Sequence, residues 1–296
     1  MTYRNVYDYY IKVLTPLYDL QEAESITSWM FEEKLGISKI QLLLRGQEVI
    51  SEVKANELAY ALVRLSKGEP IQYVLGYTNF YGLKIKVNRH VLIPRPETEE
   101  LVAWIVQEQI QRQPCNMLDI GTGSGCIAIA LKTKLPQSTI TAIDISEQAL
   151  VIAETNAAFH QAAINLQKAD LLDYTSKPDP LDTLGSHISP VFVNTFDIIV
   201  SNPPYIPISE VTTMHRNVTA YEPHLALFVP DQEPLVYYHA IAKLASQYLS
   251  PDGSIYLELH QNDASQVADL LISFGFNNIK INNDLQGKQR MLKAGR

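Results

Sequence analysis

The chain has 296 residues, 46% of them hydrophobic, and a formal net charge of −8 from 24 basic and 32 acidic residues. This length allows a sizeable core and a small second domain, and the acidic balance supplies none of the basic footprint that usually drives nucleic-acid binding. No stretch approaches the roughly 20 apolar residues of a membrane-spanning helix. The start lacks the order of a signal peptide, and the only cysteines, Cys115 and Cys126, suggest no disulfide framework. We therefore expect a cytoplasmic protein with reduced thiols.

The first 70 residues have helical patterns and predict a helical domain. Residues 19–22 (DLQE) and 38–41 (SKIQ) both have the spacing of a capping box, in which a polar N-cap is followed three residues later by Glu or Gln. A later helix is predicted to end at Gly68. Its apolar face is formed by Val53, Leu58, Leu62 and Leu65.

Residues 71–95 form a candidate linker. Glycine and proline interrupt the helical pattern at "KGEPIQYVLG", and "YTNFYGLKIKV" is rich in aromatic and β-branched residues. The alternation in "LKIKV" is typical of a strand, so we predict a β-hairpin here.

Residues 96–296 alternate between predicted helices and strands. Helices are predicted at 97–110, 125–135, 146–159, 234–249 and 262–275, and strands at 116–120, 139–145, 164–169, 196–202, 253–259, 277–281 and 290–294. This alternation predicts an α/β domain with a mostly parallel sheet covered by helices on both faces. Residues 175–195, rich in Pro, Ser and Asp, are predicted to be an irregular insertion.

A glycine loop, "LDIGTGSGCIAIA", joins the strand at 116–120 to the following helix. Its glycines, at 121, 123 and 125, allow a tight turn and a close approach of the backbone to a ligand. The dinucleotide fingerprint needs a third glycine where this chain has Cys126, which favours a nucleoside ligand without pyrophosphate. An ordinary strand-to-helix turn is the alternative.

Acidic residues follow the neighbouring strands. Asp144 ends the second strand, where a carboxylate can accept hydrogen bonds from both hydroxyls of a ribose, and Asp170 ends the third, where it could hold an adenine amine with Leu171 against the ring. Asp119 is expected to orient the loop or the ligand's amino group. Turn or N-cap aspartates are the alternative reading of Asp144 and Asp170. Together these features indicate an adenosine-bearing ligand, without naming it.

The segment "SNPPYIP" follows the fourth strand at the same edge. Pro203 and Pro204 have fixed φ and no N–H, so the loop is expected to be rigid and to present acceptors. Asn202 Oδ1 and the Pro203 carbonyl can accept both hydrogens of a planar NH2 group and aim its nitrogen at a methyl group. Tyr205 offers an aromatic face to the target or to a sulfonium cation.

The chain resembles the peptide chain release factor glutamine methyltransferase family (PrmC/HemK) of the class I S-adenosylmethionine-dependent methyltransferases over nearly its full length. The resemblance depends on 68–82 (GEPIQYVLGYTNFYG), 91–102 (VLIPRPETEELV), the glycine loop, "AIDIS", "SNPPYIP", 221–227 (YEPHLAL) and 284–294 (DLQGKQRMLKA). It implies a Rossmann-like seven-stranded fold with a small N-terminal helical bundle that docks the substrate, over 1–70, a hairpin linker over 71–95, and a methyltransferase domain over 96–296.

The resemblance also implies the activity and its residues. The family methylates the side-chain amide of the glutamine in the Gly-Gly-Gln loop of class 1 release factors, with S-adenosylmethionine as cofactor and S-adenosylhomocysteine as product. Cofactor binding is implied for Asp119, Gly121, Thr122, Gly123, Ser124, Gly125, Asp144, Ile145, Asp170, Leu171 and Asn202. Catalysis is implied for Asn202, Pro203 and Tyr205, and substrate binding for Leu92, Asn202, Pro203, Pro204 and Tyr205.

Alternatives stay open at this level. A methyltransferase of an exocyclic amine in DNA or RNA would use the same "NPPY" geometry, and a non-enzymatic nucleotide-binding regulator could use the same scaffold. Arg95 and Glu97 either orient the linker or the substrate loop or form a structural salt bridge, and Glu222 is expected to order the "NPPY" loop. The histidines lack metal-ligand spacing, so no metal is expected. We expect a monomer that binds release factors, with neither nucleic acid nor membrane as a direct partner.

Overall fold

The computed structural model describes residues 1–112, 114–176 and 195–296, with side chains described throughout except at 174–176. Its α-helices are α1 (Tyr3–Leu14), α2 (Leu20–Leu35), α3 (Lys39–Arg45), α4 (Glu52–Leu65), α5 (Ile71–Leu75), α6 (Pro96–Gln109), α7 (Cys126–Lys134), α8 (Glu147–Phe159), α9 (Leu171–Ser176), α10 (Arg216–Tyr221), α11 (Val236–Tyr248) and α12 (Ala264–Ser273). Its strands are β1 (Tyr77–Phe80), β2 (Leu83–Lys86), β3 (Asn116–Ile120), β4 (Thr139–Asp144), β5 (Asn165–Lys168), β6 (Phe196–Ser201), β7 (Ile206–Pro207), β8 (Phe228–Val229), β9 (Leu249–Glu258), β10 (Asn277–Asn283) and β11 (Gln289–Gly295). The insertion predicted at 175–195 lies, apart from its ends, outside the described residues.

The described chain separates into two compact units. One consists of Met1–Tyr77 and Met214–Tyr221, and the other of Thr78–Thr213 and Glu222–Arg296. The helical unit thus takes in a second segment, α10, from far along the chain. The domain limits at 70 and 95 that the sequence suggests remain predictions.

The helical unit is held by a core of apolar and aromatic side chains. Phe31 packs edge-on against Tyr10, whose buried hydroxyl donates to the Leu58 carbonyl. At the start of α3 both bonds of the predicted capping box form, between Ser38 and Gln41. The predicted apolar face of α4 is wrong in one position. Leu58, Leu62 and Leu65 are buried, whereas Val53 is 70% exposed, because it lies in the first turn, beyond the reach of this core.

The predicted hairpin is present as β1 and β2. Its two-residue turn consists of Tyr81 and Gly82, with φ of 49° and 77°. Positive φ at both central positions matches the twist of the paired strands, which is why such turns favour tight hairpins. Glycine takes this conformation freely, whereas Tyr81 is held in it.

The second unit contains a seven-stranded sheet in the order β10-β11-β9-β6-β3-β4-β5. The strands from β9 to β5 are parallel, and β11 pairs antiparallel with both β9 and β10. This order confirms the predicted mostly parallel sheet. It also brings the carboxyl ends of β3, β4, β5, β6 and β9 to one edge, the position at which open α/β sheets bind ligands.

Both faces of this sheet are covered by helices. Leu118, Ile199 and Leu257 belong to one buried cluster with residues of α11 and α12. Because side chains alternate along a strand, Tyr256, the neighbour of Leu257 in β9, points to the other face. There Tyr256 packs edge-on against Trp104 of α6, with ring centroids 5.5 Å apart. In the described part of the chain, no helix combines the length and the apolar character needed to cross a bilayer.

Candidate active site

A cavity of about 350 Å³ opens at the carboxyl ends of the parallel strands. This volume lies within the range of small-molecule sites. Its lining comes from the ends of β3, β4 and β6 with the loops that follow them, from the loop after β5, from residues of α8, α9 and α11, and from the segments around 90–92 and 223–226. The lining residues are His90, Val91, Leu92, Ile120, Gly121, Gly123, Ile143, Asp144, Ile145, Ser146, Ala149, Ala169, Asp170, Leu171, Leu172, Ser201, Asn202, Pro203, Pro204, Pro223, Leu225, Ala226 and Tyr237.

The glycine loop follows β3 and is held by backbone bonds. The N–H groups of Gly121 and Thr122 both donate to the Ile143 carbonyl, at 2.9 and 3.0 Å. Gly121 and Gly123 have φ of 73° and 55°, and a Cβ at Gly121 would meet nothing within 4 Å. At Gly125 a Cβ would come within 3.2 Å of Ala153. The first two glycines therefore face open space, and the third lets α7 approach α8.

Asp144 stands at the end of β4 with both carboxylate oxygens engaged. Oδ2 accepts from the Gly123 N–H at 2.8 Å, and Oδ1 accepts from the Ser146 N–H at 2.9 Å. Burial raises the pKa of Asp144, and these backbone N–H groups partly oppose that rise. Each oxygen keeps a further lone pair, so a rigidly held carboxylate is available to hydroxyl donors in the cavity.

The loop after β5 and the start of α9 contribute Asp170, Leu171 and Leu172, and Tyr237 of α11 lines the same part of the cavity. Asp170 Oδ1 accepts from the Leu172 N–H at 2.9 Å. Burial and then the charge of Asp170 raise the pKa of Tyr237. This part of the cavity offers one carboxylate and flat apolar or aromatic surfaces.

Asp119 lies beneath the glycine loop and is fully buried. Its Oδ2 accepts from the Thr122 hydroxyl at 2.7 Å. Burial is the main cause that raises its pKa to about 7, and the nearby charge of Asp144 adds to the rise. Two roles are predicted for Asp119, and the hydrogen bond from Thr122 fits the one in which it orients the loop.

Asn202 leaves β6 and is held from outside the cavity by α6. Its Nδ2 donates to Thr98 Oγ1 at 3.1 Å, and the Thr98 hydroxyl donates to Glu258 Oε2 at 2.6 Å. Glu258 Oε1 accepts from the Tyr205 hydroxyl at 3.1 Å. One carboxylate at the end of β9 therefore holds both polar side chains of the "NPPY" segment, one directly and one through Thr98.

This network is removed from solvent. Thr98 and Glu258 are 2% and 1% exposed. Burial raises the pKa of Glu258, while the Thr98 and Tyr205 hydroxyls lower it. Burial is the main cause that raises the pKa of Tyr205, and the nearby charge of Glu258 raises it further, so the phenol keeps its proton. The Ser201 hydroxyl donates to the Ile120 carbonyl at 2.7 Å, which ties the end of β6 to β3.

A partly buried ion pair, with Glu222 buried and Arg95 32% exposed, lies at another part of the rim. Glu222 Oε1 accepts from Arg95 at 2.6 Å, and Oε2 accepts from the Ile93 N–H at 3.1 Å. The structure thus contains the salt bridge that was one of two readings of Arg95. Glu222 joins the segment that carries Leu92 to the segment that carries Pro223, and both of those residues line the cavity.

The structure brings most of the predicted site residues to this cavity. The residues among them that line it are Leu92, Gly121, Gly123, Asp144, Ile145, Asp170, Leu171, Asn202, Pro203 and Pro204. The predicted residues that are absent from this lining are Asp119, Thr122, Ser124, Gly125 and Tyr205. Thr122 contacts Asp119, and Tyr205 contacts Glu258.

Sequence reasoning did not single out Thr98, Glu258 or Tyr237. Glu258 had a usable signal, because it is a carboxylate at the end of a strand, the rule by which Asp144 was found. Thr98 and Tyr237 lie inside helical segments, where neither residue type is unusual.

The donor set suits S-adenosylmethionine. Gly121 and Gly123 line the cavity and have no side chain there, so a ligand can come close to the backbone. Asp144 and Asp170 place carboxylates at the ends of two adjacent strands, with apolar surface beside them. An adenosyl group with its ribose hydroxyls and an adenine ring needs these contacts.

Comparisons with known proteins give a consistent result. Residues 10–76 match the model of the PrmC N-terminal domain, and residues 100–225 match the methyltransferase small domain. The chain is 37% identical to a release factor glutamine methyltransferase of Flavobacterium psychrophilum, over 99% of both chains. It is also 37% identical to one of Bacteroides thetaiotaomicron, over 96% of both.

A solved structure agrees on the fold. A methyltransferase from Pyrococcus furiosus superposes with a TM-score of 0.50 over 83% of this chain and 98% of that chain, at 17% identity. At that identity the likeness concerns the fold alone.

Proposed function

The chain belongs to the release factor glutamine methyltransferase family, and we propose that it methylates the side-chain amide nitrogen of a glutamine in class 1 peptide chain release factors, within the Gly-Gly-Gln motif. One observation supports this most directly. The glycine loop, the Asp144 carboxylate and Asn202 line a single cavity, so a nucleoside cofactor and a carboxamide could meet there.

The cofactor end would hold S-adenosylmethionine, which supplies an activated methyl group on a sulfonium. The carboxylate of Asp144 would accept from the ribose hydroxyls, and the Gly123 and Ser146 N–H groups already set its position. Asp170 would accept from the adenine amine, and Ile145 and Leu171, which line the cavity, would pack against the ring. The Thr122 hydroxyl, which donates to Asp119, and the Ser124 carbonyl, which accepts from Asn156, would hold the loop in shape from behind. Transfer of the methyl group would leave S-adenosylhomocysteine.

The other end would orient the glutamine. Asn202 Oδ1 and the Pro203 carbonyl accept the two amide hydrogens, and Leu92 and Pro204 supply apolar walls. The S–C bond of the sulfonium would break as the N–C bond forms, and the nitrogen would then lose its proton to water, so no strong base is needed. The residues contribute by positioning, which can lower a barrier by about 7–11 kcal/mol at best.

Tyr205 would lie behind the Asn202–Pro204 segment, on the side away from the cavity. Its hydroxyl is directed at Glu258 and its ring packs on the core cluster, so it would support the "NPPY" loop from below. We also propose that the helical unit and the hairpin, roughly 1–95, dock the release factor and that the enzyme acts as a cytoplasmic monomer without nucleic acid or membrane as partners.

The test uses the purified chain with methyl-labelled S-adenosylmethionine and a class 1 release factor. We expect label on the factor and none on a matched factor whose loop glutamine is changed to alanine. Label that persists on the altered factor contradicts the glutamine assignment. Label on naked DNA or RNA, with binding that weakens steeply as salt rises, would favour an amine of a nucleic acid instead.

A further inference from the structure

The orientation of the Asn202 side chain is set by a one-way chain of hydrogen bonds. The Thr98 hydroxyl has a single proton, and Glu258 Oε2 accepts it at 2.6 Å. Thr98 Oγ1 therefore has only lone pairs left for Asn202. The group that faces it at 3.1 Å is Nδ2, a donor.

A flipped Asn202 amide would be unfavourable. It would place Oδ1 against Thr98 Oγ1, and two acceptors would then face each other with no proton between them. Turning the Thr98 proton toward Oδ1 would only move the deficit, because Glu258 Oε2 would then lose its donor while Oε1 accepts from Tyr205 at 3.1 Å. Because Thr98 and Glu258 are only 2% and 1% exposed, bulk water does not reach them, so the lost bond carries the cost of an unpaired buried group.

We propose that Thr98 is a positioning residue that keeps Asn202 Oδ1, rather than Nδ2, directed into the cavity, because Glu258 takes the threonine proton. Thr98 does not line the cavity, and it acts only through Asn202. The proposal rests on the proposed function, since a carboxamide substrate presents two N–H donors and needs an acceptor there. If Asn202 Nδ2 pointed into the cavity instead, its N–H groups would face the N–H groups of the substrate amide, and no hydrogen bond could form.

The placement of Thr98 follows from α6. Pro96 begins the helix after the extended Arg95, and Thr98 is in the first turn. The helix packs on the sheet face to which Tyr256 and, two residues on, Glu258 point. The threonine hydroxyl is thereby brought between the ends of β6 and β9.

The test compares Thr98→Val with Thr98→Ser. Valine keeps the shape but removes the hydroxyl, whereas serine keeps the hydroxyl and removes the methyl group. We expect Thr98→Val to lower kcat by about 10- to 100-fold, the cost that a misplacement of about 1 Å can cause, with cofactor affinity and the KM for the release factor little changed. Thr98→Ser should retain near wild-type kcat. Thr141→Val, another buried threonine in the same unit, is the matched control.

Two kinetic outcomes would overturn the proposal. A Thr98→Val enzyme with wild-type kcat would show that Asn202 does not need the hydroxyl. An equal loss in Thr98→Val and Thr98→Ser would show that the methyl group packs and the hydroxyl does not orient.

A second measurement needs neither a variant nor turnover. Hydrogen exchange at the Asn202 Nδ2 protons, followed by NMR of the wild-type chain, should be slower than at the exposed Asn165 amide. Equal rates would overturn the orientation. If the wild-type chain methylates no release factor, the proposed function fails while this measurement still decides the orientation of Asn202.

Discussion

At the cofactor end of the cavity backbone N–H groups hold the side chains, whereas at the Asn202 end buried side chains hold one another. Asp144 is bound by Gly123 and Ser146, which are 21 and 2 residues away along the chain. Asn202 depends on Thr98, 104 residues away, and Thr98 depends on Glu258, a further 160. The first arrangement comes with the local loops, and the second exists only once α6, β6 and β9 have packed.

The difference assigns different tasks to the two ends. Backbone donors are present in any sequence that makes the loop, so the cofactor end tolerates change outside its glycines and carboxylates. A side-chain network with every proton assigned is more exacting, because losing one member leaves another unpaired. We therefore expect substitutions at the Asn202 end to affect turnover and those at the cofactor end to affect cofactor affinity.

Asn202→Ala should give the largest effect. It removes one of two acceptors that orient the reacting nitrogen, and removal of a comparable orienting group in other enzymes costs about 100- to 1000-fold in kcat. Cofactor affinity, measured by calorimetry, should change far less. Asn165→Ala on the exposed surface of β5 is the control. Turnover that survives in Asn202→Ala contradicts the acceptor pair.

Asp119 should make stability depend on pH. Because the folded chain raises the pKa of this carboxyl from 3.8 to about 7, it binds the proton more tightly than the unfolded chain, and the free energy of unfolding falls as pH rises through this window. The loss attributable to Asp119 between pH 5 and pH 7 is about 2 kcal/mol, at about 1.4 kcal/mol per pKa unit.

Denaturant unfolding at several pH values checks this. Asp119→Asn, which cannot ionise, should have a shallower fall over pH 5–7 than the wild-type chain, whatever its absolute stability. Asp252→Asn, at an exposed position, should leave the slope unchanged. Identical slopes in Asp119→Asn and the wild-type chain would contradict the raised pKa.

Gly123→Ala should weaken cofactor binding without a matching loss of kcat at saturating cofactor. A φ of 55° costs a residue with a Cβ about 1–2 kcal/mol, and a loop that relaxes from this conformation withdraws its N–H from Asp144. We expect the Kd for the cofactor to rise about tenfold. Gly287→Ala has the same kind of strain, φ 83° with open space, in a remote turn, and should leave the Kd unchanged. Equal Kd values in both variants would indicate that the loop geometry is not needed.

Glu222→Gln should have the smallest effect. Glutamine keeps the shape and removes the charge that pairs with Arg95, and because Arg95 is 32% exposed, water compensates in part. We expect the free energy of unfolding to fall by about 1 kcal/mol. Glu147→Gln, which breaks the exposed pair with Lys168, should cost less. A Glu222→Gln protein as stable as the wild-type chain would show that the rim does not depend on this ion pair.

Sequence patterns were sufficient for the parts of the protein that are organised locally. Each strand of the sheet was predicted to within a few residues, and β3 at its observed limits. The central strands β3 and β6 were the plainest, because a parallel strand buried on both faces is a nearly continuous apolar run. The glycine loop and the acids after β4 and β5 were found since a polar residue directly after such a run stands at the sheet edge. Val53 was misassigned because periodicity alone cannot tell where the neighbouring helices end.

The sequence by itself determined the alternation of strands and helices, the loop of three glycines and the rigid "NPPY" segment, since each depends on residues that are neighbours in the chain. Only the tertiary structure decided that Thr98 would stand between Asn202 and Glu258, because that contact requires β9 to pair beside β6 and α6 to pack across their ends. The direction of these two hydrogen bonds is set because Glu258 offers only acceptors and Thr98 has a single proton to donate, and this constraint acts on Asn202 only once the three side chains are in contact.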